Sequence, residues 1–116
     1  MYESEDKEIM LIAIESPLLY AKLKLDVDYY VFASRHRSAS NRRTLTTHVT
    51  GNLTEQALYG GEPQSLAYAN ADAMKVALLE LKNARDERSL EYEVCLEATH
   101  HGPTELTKPL LFIEVG

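Results

Sequence analysis

Cysteine is nearly absent: Cys95 stands alone among 116 residues. No internal disulfide can staple the fold, and a reducing compartment is the natural setting. Long apolar runs are missing as well, none approaching the roughly 20 residues that a membrane-spanning helix needs. The opening MYESEDKEIM has neither the basic start nor the apolar middle of a signal peptide. A cytoplasmic protein is therefore expected. Basic charge is in short supply: the formal net charge is −6, which weighs against a chain wrapped in nucleic acid. The common catalytic signatures HExxH, paired CxxC and GxSxG do not occur.

What is present reads as one ordinary globular unit, 45% hydrophobic and 26% charged. Residues 1–116 are expected to form a single α/β domain. EIMLIAIES (8–16) has apolar residues at both parities, the pattern of a central strand covered on both sides. LLYAKLKLD (18–26) allows a short helix or an extended connector. DYYVFAS (28–34), EYEVCLEA (91–98) and LLFIEVG (110–116) read as strands, TLTTHVTGN (44–52) as a short strand or strand-like loop, and LYGGEP (58–63) as a turn. Asn70 or Asp72 is placed to cap a helix through ADAMKVALLELKNARDE. Its stripe of Met74, Ala77, Leu78 and Leu81, widened by Val76 and Leu79, predicts a helix covered over much of its circumference. The order strand, connector, strand, loop, helix, strand, strand fits a mixed sheet flanked by helices. A buried-looking strand that stops at Gly116 carries the further expectation that more polypeptide usually follows.

Several strands end in groups able to bind a metal or move a proton. Glu15 and Ser16 follow the first; Ser34, Arg35 and His36 the second; Thr47 and His48 sit in the threonine-rich segment. Glu97, Thr99, His100 and His101 follow EYEVCLEA, and Glu114 lies in the last strand. If the strands run mostly parallel, these ends share the crevice at the carboxyl edge of the sheet. His36 reads equally as a solvated loop histidine, and His48 as a core histidine satisfied by backbone. In extended chain His100 and His101 would point apart, so that one metal would rarely take both. Glu97 shares parity with Glu91 and Glu93, as on a solvated face. Glu114 shares parity with Leu110 and Phe112, so it is either buried with a partner or covered by other protein. Cys95 reads as a small core residue. Arg35, Arg37, Arg42 and Arg43 form a basic loop on an acidic body, suited to docking one anionic segment. From these residues alone, the reading is a hydrolytic site built on strand ends, with zinc as one option.

ASRH (33–36), TTHVTGN (46–52), LYGG (58–61), AMK (73–75), EATHHGPTEL (97–106) and FIEVG (112–116), in that order, resemble the archaeal and plant type of D-aminoacyl-tRNA deacylase. The resemblance implies hydrolysis of the ester joining a D-amino acid to the terminal ribose of tRNA. It implies dependence on zinc and a phosphorylase- or peptidyl-tRNA-hydrolase-like α/β fold. It also implies a protein more than twice this long, of which the chain is a central part. Within these motifs His48, His100, His101 and Glu114 are the candidate metal ligands, with general base as the other role for the histidines and partner of an imidazole or of the substrate amine as the other role for Glu114. His100, His101, Glu97 and Thr99 are catalytic, with N–H groups near Gly102 as donors to the oxyanion. His36, Thr47, Asn52, Gly102 and the four arginines contact the substrate. A fragment that keeps the fold and part of the binding surface without turnover is the alternative.

Overall fold

Aromatic, β-branched and other apolar residues build the sheet, whose two central strands, Thr44–His48 and Leu110–Val115, are buried at both parities. A computed structural model of the chain describes residues 2–6 and 8–116, leaving Met1 and Lys7 of the acidic N-terminus outside. In chain order the elements are β1 (Tyr2–Glu3), β2 (Met10–Leu11), a 3₁₀ turn (Leu18–Tyr20), β3 (Tyr30–Arg35), β4 (Thr44–His48), β5 (Gly51–Asn52), β6 (Ser65–Leu66), α1 (Ala71–Glu87), β7 (Glu93–Leu96) and β8 (Leu110–Val115). The main sheet runs β3-β8-β4-β7. β3 is parallel to β8 and β4 to β7, but β4 and β8 are antiparallel. The result is a mixed α/β layer, as the sequence leads one to expect, with one α-helix among the described residues.

Asn70 is the helix cap: its side chain accepts the Ala73 N–H at 3.0 Å, a contact worth about 1 kcal/mol. α1 packs against β4, β7 and β8. The opposite face of the sheet carries the hydrophobic core, where Tyr30, Phe32, Leu110 and Phe112 are buried with Ala21, Ala67 and Leu106. Phe32 and Phe112 stack with centroids 4.7 Å apart, and burying each such ring contributes about 2–3 kcal/mol.

Two expectations fail. The segment 8–16 is not a central strand: only Met10–Leu11 is extended in a sheet, paired with β1 alone, and Leu11 is 65% exposed. Ile14 instead packs along the core with Leu18, Leu19, Leu23 and Leu25, in a strap interrupted by the 3₁₀ turn. A run that is apolar at both parities fits such a strap as well as a strand. The helix is not covered around its circumference either. Ala77 is buried, but Val76 is 58% and Leu79 51% exposed, because the sheet meets one face of α1 and nothing among the described residues meets the other. No helix among the described residues is long and apolar enough to cross a membrane.

Candidate metal and hydrolytic site

The register of the sheet writes two rows of side chains onto the face away from α1. Ser34, Glu114, Thr46 and Cys95 are consecutive cross-strand partners. Phe32, Phe112 and His48 form the next row. Glu114 and His48 are thus diagonal neighbours on one face. The site sits on the sheet face rather than in a crevice at parallel carboxyl ends, because the central β4–β8 pair is antiparallel.

The other imidazoles arrive from the segment after β7. His100 bridges Thr50, and His101 adopts a left-handed φ of 47°, a conformation that costs a non-glycine residue roughly 1–2 kcal/mol. That single reversal corrects the expectation that adjacent histidines diverge: the His100 and His101 rings lie 4.4 Å apart, and His48 lies 4.5 and 4.9 Å from them. One ligand atom from each of the three lies within 4.8 Å of the other two. His36, Glu97 and His100 form a second such group, and His48, Glu97 and Glu114 a third.

The tautomers follow from the backbone. His48 Nδ1 meets the Val49 carbonyl at 2.8 Å, His100 Nδ1 that of Ala98 at 2.7 Å, and His101 Nδ1 that of Gly102 at 2.7 Å. A carbonyl only accepts, so each Nδ1 carries the hydrogen and each neutral ring presents a lone pair at Nε2. Those Nε2 atoms face carboxylates: His48 and His101 lie 3.7 and 3.9 Å from Glu114, and His100 lies 3.5 Å from Glu97. The two contacts to Glu114 are too long for hydrogen bonds. His36 Nδ1 completes the ring, 3.1 Å from Glu114 and 3.8 Å from Glu97.

His48 is 0% and Glu114 3% exposed, yet among the described residues His48 Nε2 and Glu114 Oε2 have no aligned hydrogen-bond partner, the 3.1 Å approach of His36 Nδ1 to Oε2 being an ion-pair contact. An unsatisfied buried polar atom costs about 1–3 kcal/mol. A cation held by the imidazoles and carboxylates would relieve that cost, and three histidine donors are a set that zinc accepts. The residues therefore fit the metal. Burial alone would push the Glu114 carboxyl up, but the His101 and His48 imidazoles and the Ser34 hydroxyl hold it well below the usual carboxylate range. Burial pulls His48 down, but Glu114, the Val49 carbonyl and the Glu97 charge raise it above its ordinary value. His100 is pushed down by burial, with the neighbouring His48 and His101 acting in the same direction.

The remaining sequence-predicted residues divide. Glu97 is not on a solvated face; beyond the end of β7 it turns into the cluster. Thr99 lies in the same segment, its methyl against Gly51. Thr47 is fully buried but faces α1, since alternation sends it away from His48. Asn52 gives its amide hydrogens to the Gly60 and Glu62 carbonyls at 2.9 and 3.1 Å, so they are spent on structure. The Gly102 N–H is spent as well, on the Tyr59 carbonyl at 2.9 Å, and is not an oxyanion donor. Arg35, Arg37 and Arg43 are exposed on or beside the loop after β3, while Arg42 pairs with Glu93. Cys95 is half-buried on the site face rather than in the core. Ser34, singled out in the sequence at its strand end, donates to Glu114. One contributor was not singled out: Thr46, buried beside Glu114 with a hydroxyl that has no partner among the described residues. Its parity with Glu114 across neighbouring strands is the signal, and it is readable only once the pairing is known.

Comparison with known proteins gives a consistent picture. A family model described as D-aminoacyl-tRNA deacylase matches residues 23–116. A protein of that name from Pyrococcus furiosus is 44% identical over 125 residues, covering 100% of this chain and 44% of its own length. One from Methanosarcina acetivorans is 41% identical, covering 98% of this chain and 41% of its own length. One from Thermococcus kodakarensis is 55% identical over 85 residues, covering 73% of this chain and 30% of its own length. A crystal structure described as a conserved protein of unknown function superposes with a TM-score of 0.79 at 38% identity, covering 88% of this chain and 38% of that one. The chain thus spans less than half the length of these relatives.

Proposed function

The chain belongs to the D-aminoacyl-tRNA deacylase family, and from that premise we propose that it hydrolyses the ester between a D-amino acid and tRNA. The observation that carries this reading is the convergence of three imidazoles, from β4 and from the segment after β7, on buried Glu114 and on Glu97. His48, His100 and His101 would hold a zinc ion, with Glu114 among them. When bound there, zinc supplies Lewis-acid polarisation of an ester carbonyl and makes water a better nucleophile near neutral pH.

The residues of the chain do the rest. The Nδ1 hydrogen bonds to backbone carbonyls keep the imidazole lone pairs turned inward. Glu97, beside His100 and His36, takes a proton from the attacking water. The same carboxyl returns that proton to the ribose oxygen as the tetrahedral intermediate collapses, releasing the D-amino acid and free tRNA. Arg37 and Arg43, exposed on the loop after β3 that begins at His36, hold phosphates of the acceptor end, whereas Arg35 pairs with Val115 and turns to the opposite face from Glu114.

The test is release of D- and L-tyrosine from the corresponding tyrosyl-tRNAs, with and without added zinc. D-selective, zinc-dependent release is expected. Its absence at high protein concentration with zinc supplied eliminates the proposal. The buried His48 Nε2 and Glu114 Oε2, without aligned hydrogen-bond partners among the described residues, fit a second reading equally well: binding of metal and tRNA without turnover. That reading predicts bound zinc and tRNA retention in the same samples, with no D-amino acid released.

A further inference from the structure

Two turns distant in sequence are locked together beside the histidines, and the residues that lock them reach no reacting group. Gly60 and Gly61 both take positive φ, 82° and 76°, and their turn abuts the His101–Thr104 turn. The Gly102 N–H donates to the Tyr59 carbonyl at 2.9 Å, and the Glu62 N–H donates to Thr104 Oγ1 at 2.8 Å. Asn52 clamps the glycine turn from β5 through the Gly60 and Glu62 carbonyls. The strand segment leading into β5 grips the other turn: Thr50 Oγ1 donates to the Pro103 carbonyl, and the Gly51 N–H donates to the His101 carbonyl at 2.9 Å. The fit is close. A Cβ at Gly61 would lie 2.7 Å from Thr104 Cγ2 and 3.0 Å from Asn52 Nδ2, and one at Gly102 would overlap the backbone of Leu19, Gly60 and Gly61.

We propose that Asn52 and Thr104, acting through the Gly60–Gly61 turn, are positioning residues that hold His101 in its left-handed conformation. Left-handed backbone is disfavoured at a non-glycine residue, so an unsupported turn would relax toward extended chain. Adjacent side chains in extended chain point to opposite faces, and His101 would swing away from His48 and His100. The brace is therefore what lets two consecutive histidines serve one centre. This inference rests on the metal-site reading for its purpose, but not for its geometry.

Two readouts on the full chain separate those layers. The amide–Hα nuclear Overhauser effect within His101 is strong only at positive φ, and it needs no metal. Cobalt(II) titration, followed by its visible absorption, reports affinity and coordination. Thr104→Val removes the acceptor for the Glu62 N–H while keeping the side-chain shape; Thr104→Ser keeps the hydroxyl. T104V is expected to lose the strong intraresidue effect and to weaken cobalt binding by about 10-fold or more, the range seen when a supporting partner of a ligand is lost. T104S is expected to restore both. Should T104V fail to fold, the isosteric N52D removes the donor amide and is read in the same way. Folded T104V or N52D protein that keeps the His101 signal and wild-type cobalt affinity overturns the brace. A wild-type chain that binds no cobalt, while T104V loses the His101 signal and T104S keeps it, refutes the metal reading and supports the brace.

Discussion

Ser34 Oγ donates a 2.7 Å hydrogen bond to Glu114 Oε1 across neighbouring parallel strands, between residues 80 positions apart. The bond engages one carboxylate oxygen and leaves the other facing His36 and His48. Hydrogen bonds to charged groups contribute roughly 1.5–3 kcal/mol. Ser34→Ala is therefore expected to lower stability in urea by an amount in that range, and Ser34→Thr by less. Equal midpoints for S34A and wild type would show that the bond orients nothing of consequence.

The same carboxylate sets the dependence of stability on pH. Glu114, depressed below its ordinary 4.5 once folded, stabilises the fold above that value, and this contribution is lost as pH falls through the folded pKa. His48, raised above 6.5, acts with the opposite sign. Its contribution is complete below 6.5 and is lost as pH rises through the raised value. His100, pushed below 6.5, favours the fold above 6.5 and loses that effect as pH falls through its lowered value. Metal-free protein should thus be most stable near pH 6.5, with both limbs shallower in Glu114→Gln. Urea midpoints measured from acid to alkaline buffer check this; superimposable profiles for E114Q and wild type would refute it.

Chelation offers a direct check on the ligand set. Each of His48→Gln, His100→Gln and His101→Gln is expected to cost more zinc affinity than the roughly 10–100-fold typical of outer partners. His36→Gln, at 3.1 Å from Glu114 rather than within the three-histidine group, should fall within that range. Competition against a chromophoric chelator, with elemental analysis of the dialysed protein, ranks the four. A ranking in which H36Q loses most would move the centre to the His36–Glu97–His100 group.

Much of this site was legible as misfit chemistry. Glu114 stands out because a carboxylate has no reason to share parity with Leu110 and Phe112 unless it has a partner. EATHHGPTEL stands out because a core has little use for consecutive imidazoles. The helix cap at Asn70 follows from local capping signals, β7 from alternation, and β3 and β8 from aromatic and aliphatic content, while β4 reads locally as a short strand or a strand-like loop. What stayed hidden depends on pairing. Nothing local says that β4 runs antiparallel to β8, so neither the diagonal between His48 and Glu114 nor the place of Ser34 and Thr46 beside it could be read. The left-handed turn at His101 is set by hydrogen bonds from residues 50–62, beyond any local window. The strap at 8–16 and the half-bare helix failed for a related reason: apolar patterning tells which faces seek cover, not whether the described chain supplies it.

The loop after β3 is the one dense source of positive charge on a chain of net charge −6. Arg35, Arg37 and Arg43 are exposed there, whereas Arg42 is drawn to Glu93 on β7. The proposed substrate presents a single-stranded, phosphate-rich end, and His36 joins this loop directly to the carboxylates of the site. Each phosphate contact to single-stranded nucleic acid adds about 0.7 to the slope of log affinity against log salt. Arg37→Gln and Arg43→Gln should each weaken tRNA binding and reduce that slope by about 0.7, with zinc affinity unchanged. Arg42→Gln should do less, since its guanidinium already has a carboxylate partner. Filter binding across a salt series measures all three. Slopes unaffected by R37Q and R43Q would remove the loop from the substrate path and leave the acceptor end to be held by another surface.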